Sequence, residues 1–154
     1  CVVLANTDLN DLAPYLRPGA GTTPVIISNN IEWLSLDDWQ AERQALLSMI
    51  DEWRRDWESL DIERYARHYA RSFASDGKDR TAWIAQKRKV NVGKQWVKVA
   101  TGNVSMFRNP GKDEYVVVTF EQDYQSNNLN NRMQKRQYWI KEDGRWKIVY
   151  EDAA

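Results

Sequence analysis

Residues 115–126 read YVVVTFEQDYQS, and residues 133–152 read MQKRQYWIKEDGRWKIVYED. In the first stretch apolar and polar residues alternate, so that Val116, Val118, Phe120, Gln122 and Tyr124 fall on one face of an extended strand. In the second, Asp143-Gly144 lies between two alternating runs and supplies the positive-φ pair that a tight hairpin turn needs. Upstream, WVKVATGNVSMF (96–107) alternates enough to add a strand, with the turn cluster RNPGKDE (108–114) after it. These stretches predict a four-strand antiparallel meander.

Working back from the meander, the period changes to that of a helix. Ser35 followed by Asp38 resembles a capping box with Asp in place of Glu. Behind it Trp39, Leu46, Ile50, Trp53, Trp57 and Leu60 recur at helical spacing. Asp61 caps a second predicted helix, in which Ile62, Tyr65, Ala66, Tyr69, Ala70 and Phe73 form one stripe before Ser75-Asp76-Gly77 ends it. The segment 79–94, DRTAWIAQKRKVNVGK, gives a third, more basic helix ending near Gly93. Three helices followed by four strands make an α+β plan, with the helices covering one side of a curved sheet.

The first 28 residues have a different texture. CVVLA, NTDLNDL, RPGAGTTP and VIIS read in turn as strand or turn, short helix, loop and strand, with Asn6 or Thr7 as helix cap. SNNIEWLS then connects to the helices. The chain starts on its one cysteine, without methionine, which sets the expectation of a mature product or a fragment.

Composition sets further limits. Lys+Arg and Asp+Glu both count 22, so net charge offers no general attraction for nucleic acid or an anionic membrane. No apolar run reaches the roughly 18–20 residues of a membrane span. Eight Trp and seven Tyr supply either a ring-rich core or a ring-walled pocket, with core the commoner use. One His and one Cys, far apart, give no metal-ligand spacing, and there is no Gly-rich phosphate loop. No cofactor is expected. His68 falls at the edge of the polar face of its predicted helix and reads as solvated. Lys78, Arg80, Lys87, Arg88, Lys89 and Lys94 read as a solvated basic face, although they could meet an anionic polymer.

Two resemblances add to this reading. Over residues 36–154, the helices containing WESLDIERYARHYARSF, the strand pattern Phe120-x-Gln122-x-Tyr124-x-Ser126 and the closing Trp146-Lys147-Ile148-x-x-Glu151 resemble the NTF2-like superfamily, the SnoaL-like or cystatin-related cone. The version they resemble follows L,D-transpeptidase domains in bacterial cell-wall enzymes. Over residues 1–28, Cys1, Val2, Val3, Asn6, Asp8, Leu9 and Leu12, followed by Gly21-Thr22-Thr23-Pro24-Val25-Ile26-Ile27, resemble the end of a YkuD-type L,D-transpeptidase catalytic domain, beginning at its nucleophile. Val3 stands where many members carry an Arg, and the His, Ser and Gly that precede the cysteine in the family are absent from this sequence.

The resemblance implies a catalytic-domain remnant at 1–28, a linker at 29–35 and an NTF2-like domain at 36–154. Cys1 would be the catalytic nucleophile of an intact parent, a periplasmic or cell-envelope cysteine L,D-transpeptidase or carboxypeptidase. A thiol needs a partner that lowers its pKa and donors for the oxyanion, so the chain by itself is expected to be inactive. A lipidated amino terminus and an incidental thiol remain rival accounts of Cys1.

The cone of the superfamily encloses a pocket, and the candidates to line it are Tyr69, Trp83, Phe120, Gln122, Tyr124, Tyr138 and Trp146. Rings with a few amides suit a sugar or peptide, such as a peptidoglycan stem peptide or glycan fragment. Phe120, Tyr138 and Trp146 also read as plain core. Gln122 is the telling position, because a polar side chain among core neighbours must find a partner or face a cavity. With no obvious acid-base dyad on that face, the expected role is an accessory binding domain. The alternatives are a free-standing SnoaL-like enzyme and a module that dimerises through the sheet.

Overall fold

The computed structural model describes residues 3–16, 33–109 and 115–154. Cys1, the strand expected at 25–28, residues 29–32 of the linker and residues 110–114 of the turn cluster lie outside those residues. In the amino-terminal segment, α1 (Asn6–Leu12) is followed by a 3₁₀ turn (Ala13–Tyr15). Its N-cap is Ala5, with no side-chain cap, rather than Asn6 or Thr7. All the described residues of this segment are exposed, including the large apolar side chains of Val3 and Tyr15.

Local signals fix the long helix α2 (Leu36–Glu58). The Ser35 hydroxyl accepts the Asp38 N–H at 3.1 Å and donates to the Asp38 carboxylate at 2.6 Å. Its stripe buries Leu46, Ile50 and Trp53. Asp61 caps α3 (Ile62–Ala66) by accepting the N–H groups of Glu63 and Arg64. This helix is far shorter than the one expected to reach Phe73. The reason lies in the sheet: the Ala70 N–H donates to the Ile148 carbonyl at 2.8 Å, and the Ile148 N–H donates to the His68 carbonyl at 2.7 Å. The edge of the last strand thus takes the backbone groups that a continuing helix would use, through a parallel bridge between Tyr69 and Ile148. The stripe stays buried all the same, at Tyr65, Ala66, Tyr69, Ala70 and Phe73.

A two-residue hairpin follows, β1 (Ala74–Ser75) and β2 (Lys78–Asp79), turned by Asp76 and Gly77 with φ of 51° and 68°. Helix α4 (Arg80–Asn91) starts on an Asp79 cap to the Ala82 N–H at 2.8 Å. The four-stranded antiparallel sheet runs in the order β3 (Val97–Arg108), β4 (Tyr115–Ser126), β5 (Asn130–Glu142), β6 (Arg145–Ala153). Asp143 and Gly144 turn the last hairpin with φ of 54° and 74°. The helices pack on one face of this sheet around Trp53, Tyr69, Phe73, Phe120, Trp139 and Ile148, all fully buried.

Strand β4 alternates without interruption, its even-numbered residues buried from Val116 to Ser126. The two edge strands do not. In β3 the register shifts between Gly102 and Ser105, with Asn103 at φ 51°. In β6 it shifts opposite Tyr138 and Trp139. Each extra residue swaps the strand's inner and outer faces beyond it.

Candidate functional site

The second bulge builds the site. With strict alternation from Trp146 and Ile148, Tyr150 would point inward and Glu151 outward. Trp139 pairs with Ile148 but Tyr138 pairs with Tyr150, which leaves Val149 as the extra residue and sets Glu151 opposite Gln137 on the inner face. The Glu151 carboxylate is therefore buried at the centre of the cone, its side chain 1% exposed.

Every neighbour of that carboxylate answers its charge. Oε1 meets Lys135 Nζ at 2.8 Å. Oε2 accepts from Gln137 Nε2 at 3.0 Å and from the Tyr69 hydroxyl at 3.3 Å. The Tyr69 oxygen in turn accepts from Trp53 Nε1 at 3.3 Å and is joined to the Tyr65 hydroxyl, while Gln137 Oε1 accepts from Trp139 Nε1 at 3.2 Å. Burial disfavours the ionised form of Glu151, but Lys135 and Lys87 outweigh it and hold its carboxyl below the usual carboxylate range. Burial and the Glu151 charge push Tyr65 and Tyr69 well above the usual phenol range, so both remain protonated.

This network opens into a cleft of about 350 Å³ lined by Ser75, Trp83, Met133, Lys135, Glu151 and Asp152 among others. Beside it Lys87, on α4, is half-buried rather than part of a solvated face. Its ammonium lies 4.5 Å from the centre of the Trp83 ring and 5.6 Å from that of Trp57. Burial pushes its pKa down to about 8, with Glu151 resisting and Lys135 assisting. Arg80 also leaves the expected basic face: its guanidinium donates to the Ala66 and Tyr69 carbonyls, which closes the end of α3.

The candidate residues from the sequence are distributed unevenly about this centre. Tyr69 belongs to the network and Trp83 lines the cleft. Phe120 is buried against Trp53, and Trp146 joins the same core. Gln122 is buried with no hydrogen-bond partner for its Oε1 among the described residues, and it pairs on the neighbouring strand with the cleft residue Met133. Tyr124 packs on Trp57, with ring centres 5.2 Å apart. Tyr138 does not share the inner face. It pairs with Val117 and Tyr150, and its ring stands between those of Tyr115 and Tyr150 on the outer surface. Lys87, Lys135, Gln137 and Glu151 complete the centre; only Glu151 stood in a motif of the sequence.

A second cluster corrects the reading of His68 and brings an acid and an imidazole together. His68 is buried, with Nε2 2.7 Å from Asp56, and Arg64 meets the other oxygen of Asp56 at 2.8 Å. Burial pushes the His68 pKa down despite Asp56. Glu52 lies near both and pairs with Arg145 at 3.1 Å. The three ligand-type side chains gather closely enough for a metal ion, but two guanidinium groups already supply the positive charge. The His68 and Asp56 side chains are 4% and 3% exposed, so this cluster presents no reactive group to a substrate.

The family model for the Cds6 C-terminal NTF2-like domain matches residues 45–152. Among solved structures, Bd1075 of Bdellovibrio bacteriovorus matches with a TM-score of 0.83 and 26% identity over 99% of this chain. The helical cell shape determining protein Pgp2 of Campylobacter jejuni, as its K307A mutant, matches with a TM-score of 0.64 and 20% identity over 70% of the chain. These matches span 53% of the Bd1075 chain and 39% of the Pgp2 chain. A putative scytalone dehydratase from Novosphingobium aromaticivorans shares the fold at 12% identity, TM-score 0.63, over 77% of this chain and 87% of its own. No curated protein sequence matches at a significant level. With 108 of its residues inside the family model, the chain belongs to the Cds6 C-terminal NTF2-like domain family.

Proposed function

We propose that this chain is an accessory, ligand-binding NTF2-like domain of a bacterial cell-wall protein of the L,D-transpeptidase or carboxypeptidase kind, working in the periplasm or cell envelope and not catalytic by itself. The carrying observation is the cleft over Glu151. Both oxygens of the Glu151 carboxylate are committed to Lys135, Gln137 and Tyr69, so Glu151 is a fixed charged floor for the cleft and not a free base. Trp83 adds a ring to its wall, an arrangement suited to holding a sugar or peptide. The cell-wall setting is supported by the resemblance of residues 1–28 to the end of a YkuD-type domain and by the printed name of Pgp2 as a cell shape determinant. The match to Bd1075 extends over nearly the whole chain, including the segment ahead of the cone.

Purified muropeptides titrated against the chain should quench tryptophan fluorescence saturably, and Trp83→Ala should weaken that binding at least tenfold while circular dichroism stays unchanged. Absence of binding by intact sacculi and by soluble muropeptides would overturn the reading. Release of terminal D-Ala from a tetrapeptide by this chain would overturn its non-catalytic part.

A second role is favoured by the outer surface of the sheet, where Tyr115, Tyr138 and Tyr150 form a ladder with ring centres 6.3 Å and 5.5 Å apart. Such a stripe pairs naturally with a second copy. Light scattering should then give twice the chain mass, and Tyr138→Glu, at the centre of the ladder, should halve it; a monomer at high concentration removes this role.

A further inference from the structure

We infer that the cleft takes a ligand bearing a single carboxylate, and that Lys87, held between Trp57 and Trp83, is the residue that receives it. This rests on the ligand-binding reading of the cleft and specifies its chemistry.

Among the described residues Lys87 has no hydrogen bond or ion pair; its contacts are the faces of two indole rings, at 4.5 Å and 5.6 Å from their centres. Glu151 acts on it only through charge, and an ammonium withdrawn from water without an anion in direct contact is costly, a cost that ring faces recover only in part. A carboxylate from outside supplies the rest. The groups facing Lys87 set the charge of what it accepts. Lys135, from β5, is already neutralised by Glu151 from β6. Asp76 and Asp152 line the same cleft; Asp76 is paired with Lys78 at 2.7 Å, which leaves Asp152 as the acid facing the lysine. With the other charges paired, Lys87 offers one positive charge beside the Asp152 carboxylate, which suits one negative charge on the ligand better than the two of a phosphate monoester. The Asp152 Oδ1 atom is buried with no donor among the described residues, so the cleft also holds an acceptor for an N–H group. A carboxylate with an amide or amine nearby, as at the end of a peptide, answers both features.

The lowered pKa of Lys87, about 8, is the expected mark of such a group in the empty site. Binding of a carboxylate should raise it toward the ordinary lysine range, because an adjacent anion favours the charged amine.

The test uses the 154-residue chain and four probes: N-acetyl-D-alanyl-D-alanine, its carboxyl-terminal amide, N-acetylglucosamine and inorganic phosphate. The indole N–H signals and the Lys87 side-chain nitrogen are followed by NMR. The expected result is saturable binding of the carboxylate peptide, at least tenfold weaker binding of the amide, and an upward shift of the Lys87 titration on binding. Lys87→Gln should abolish the preference for carboxylate over amide, and Lys87→Arg should retain it. Equal binding of peptide and amide would overturn the carboxylate inference and leave the cleft as a binding site. Tighter binding of N-acetylglucosamine or of phosphate would overturn it in the same way. If no probe, and no muropeptide, perturbs Trp83 or Lys87, the ligand-binding reading itself falls.

Discussion

Glu151 and Asp56 are both carboxylates buried inside the cone, and their surroundings treat them differently. Asp56 is sealed by His68 on one oxygen and by Arg64 on the other, at the junction of α2 with the α3 segment. Glu151 is held by lysine, glutamine and tyrosine, and its centre opens into a cleft. The two also differ in the freedom of their cations. Arg64 is 52% exposed and Lys135 is 9% exposed, so loss of the acid leaves one cation near water and strands the other in the core. A brace can be closed on all sides, whereas a binding centre must keep one side open. The comparison therefore assigns architecture to Asp56 and recognition to Glu151.

Removing each acid separates the two roles by size of effect. Glu151→Ala leaves Lys135 buried without its partner and should cost about 3–5 kcal/mol, read from urea unfolding of the variant. Asp56→Ala leaves a neutral imidazole and an arginine that can turn to solvent, and should cost about 1–3 kcal/mol. Equal losses in the two variants would break the contrast. The milder Glu151→Gln should remove ligand binding in the cleft, and Asp56→Asn should leave it intact.

The contrast also marks what could be read from residue order. Ser35, Asp61 and the Asp143-Gly144 turn act on neighbours within a few positions, and each appears where local chemistry puts it. The even-numbered face of β4 was equally legible, because an unbroken alternation needs no knowledge of partners. Glu151 was not. Its inward direction depends on the bulge at Val149, which exists only through pairing of β6 with β5. Tyr138 was misplaced for a related reason, since its face is set by its pairing with Val117 rather than by likeness to nearby aromatics. His68 was hidden by the early end of α3, caused by hydrogen bonds to Ile148 some 80 positions away. Lys87 lies on a helix whose own pattern is basic and exposed; the indoles that cover it come from α2 as well as α4.

Acid titration distinguishes the clusters without mutation of either carboxylate. His68 has a folded pKa below its ordinary 6.5, so the unfolded chain takes up that proton first. Stability should fall as pH drops through 6.5 and level off below the folded value. The contribution of Glu151, whose folded pKa is below its ordinary 4.5, is present above 4.5 and is lost as pH falls through the folded value. Two acid limbs should appear in unfolding measured against pH. His68→Gln should flatten the upper limb alone. On the alkaline side, Lys87 gives up its proton near pH 8 in the fold and near 10.5 in the unfolded chain, so stability should rise between those values. Lys87→Met should stabilise the chain at pH 7, by about 1 kcal/mol, while its carboxylate preference is lost.

The smallest effect tests where the Asp56 brace ends. Arg145 reaches Glu52 at 3.1 Å, and both side chains are about half exposed, at 54% and 46%. A pair in that setting is screened by water, and holding two long side chains in one geometry offsets much of the attraction. Arg145→Ala should change stability by less than about 1 kcal/mol, and by less still at high salt. The same change removes a positive charge that depresses the folded His68 pKa, so the upper acid limb, which begins at the unfolded value, should level off at a higher pH and shrink. A large loss of stability with no change in that limb would mean that Glu52 and Arg145 belong to the packed brace; a small loss with the limb shortened confines the brace to Asp56, His68 and Arg64, with the outer pair acting on it only through charge.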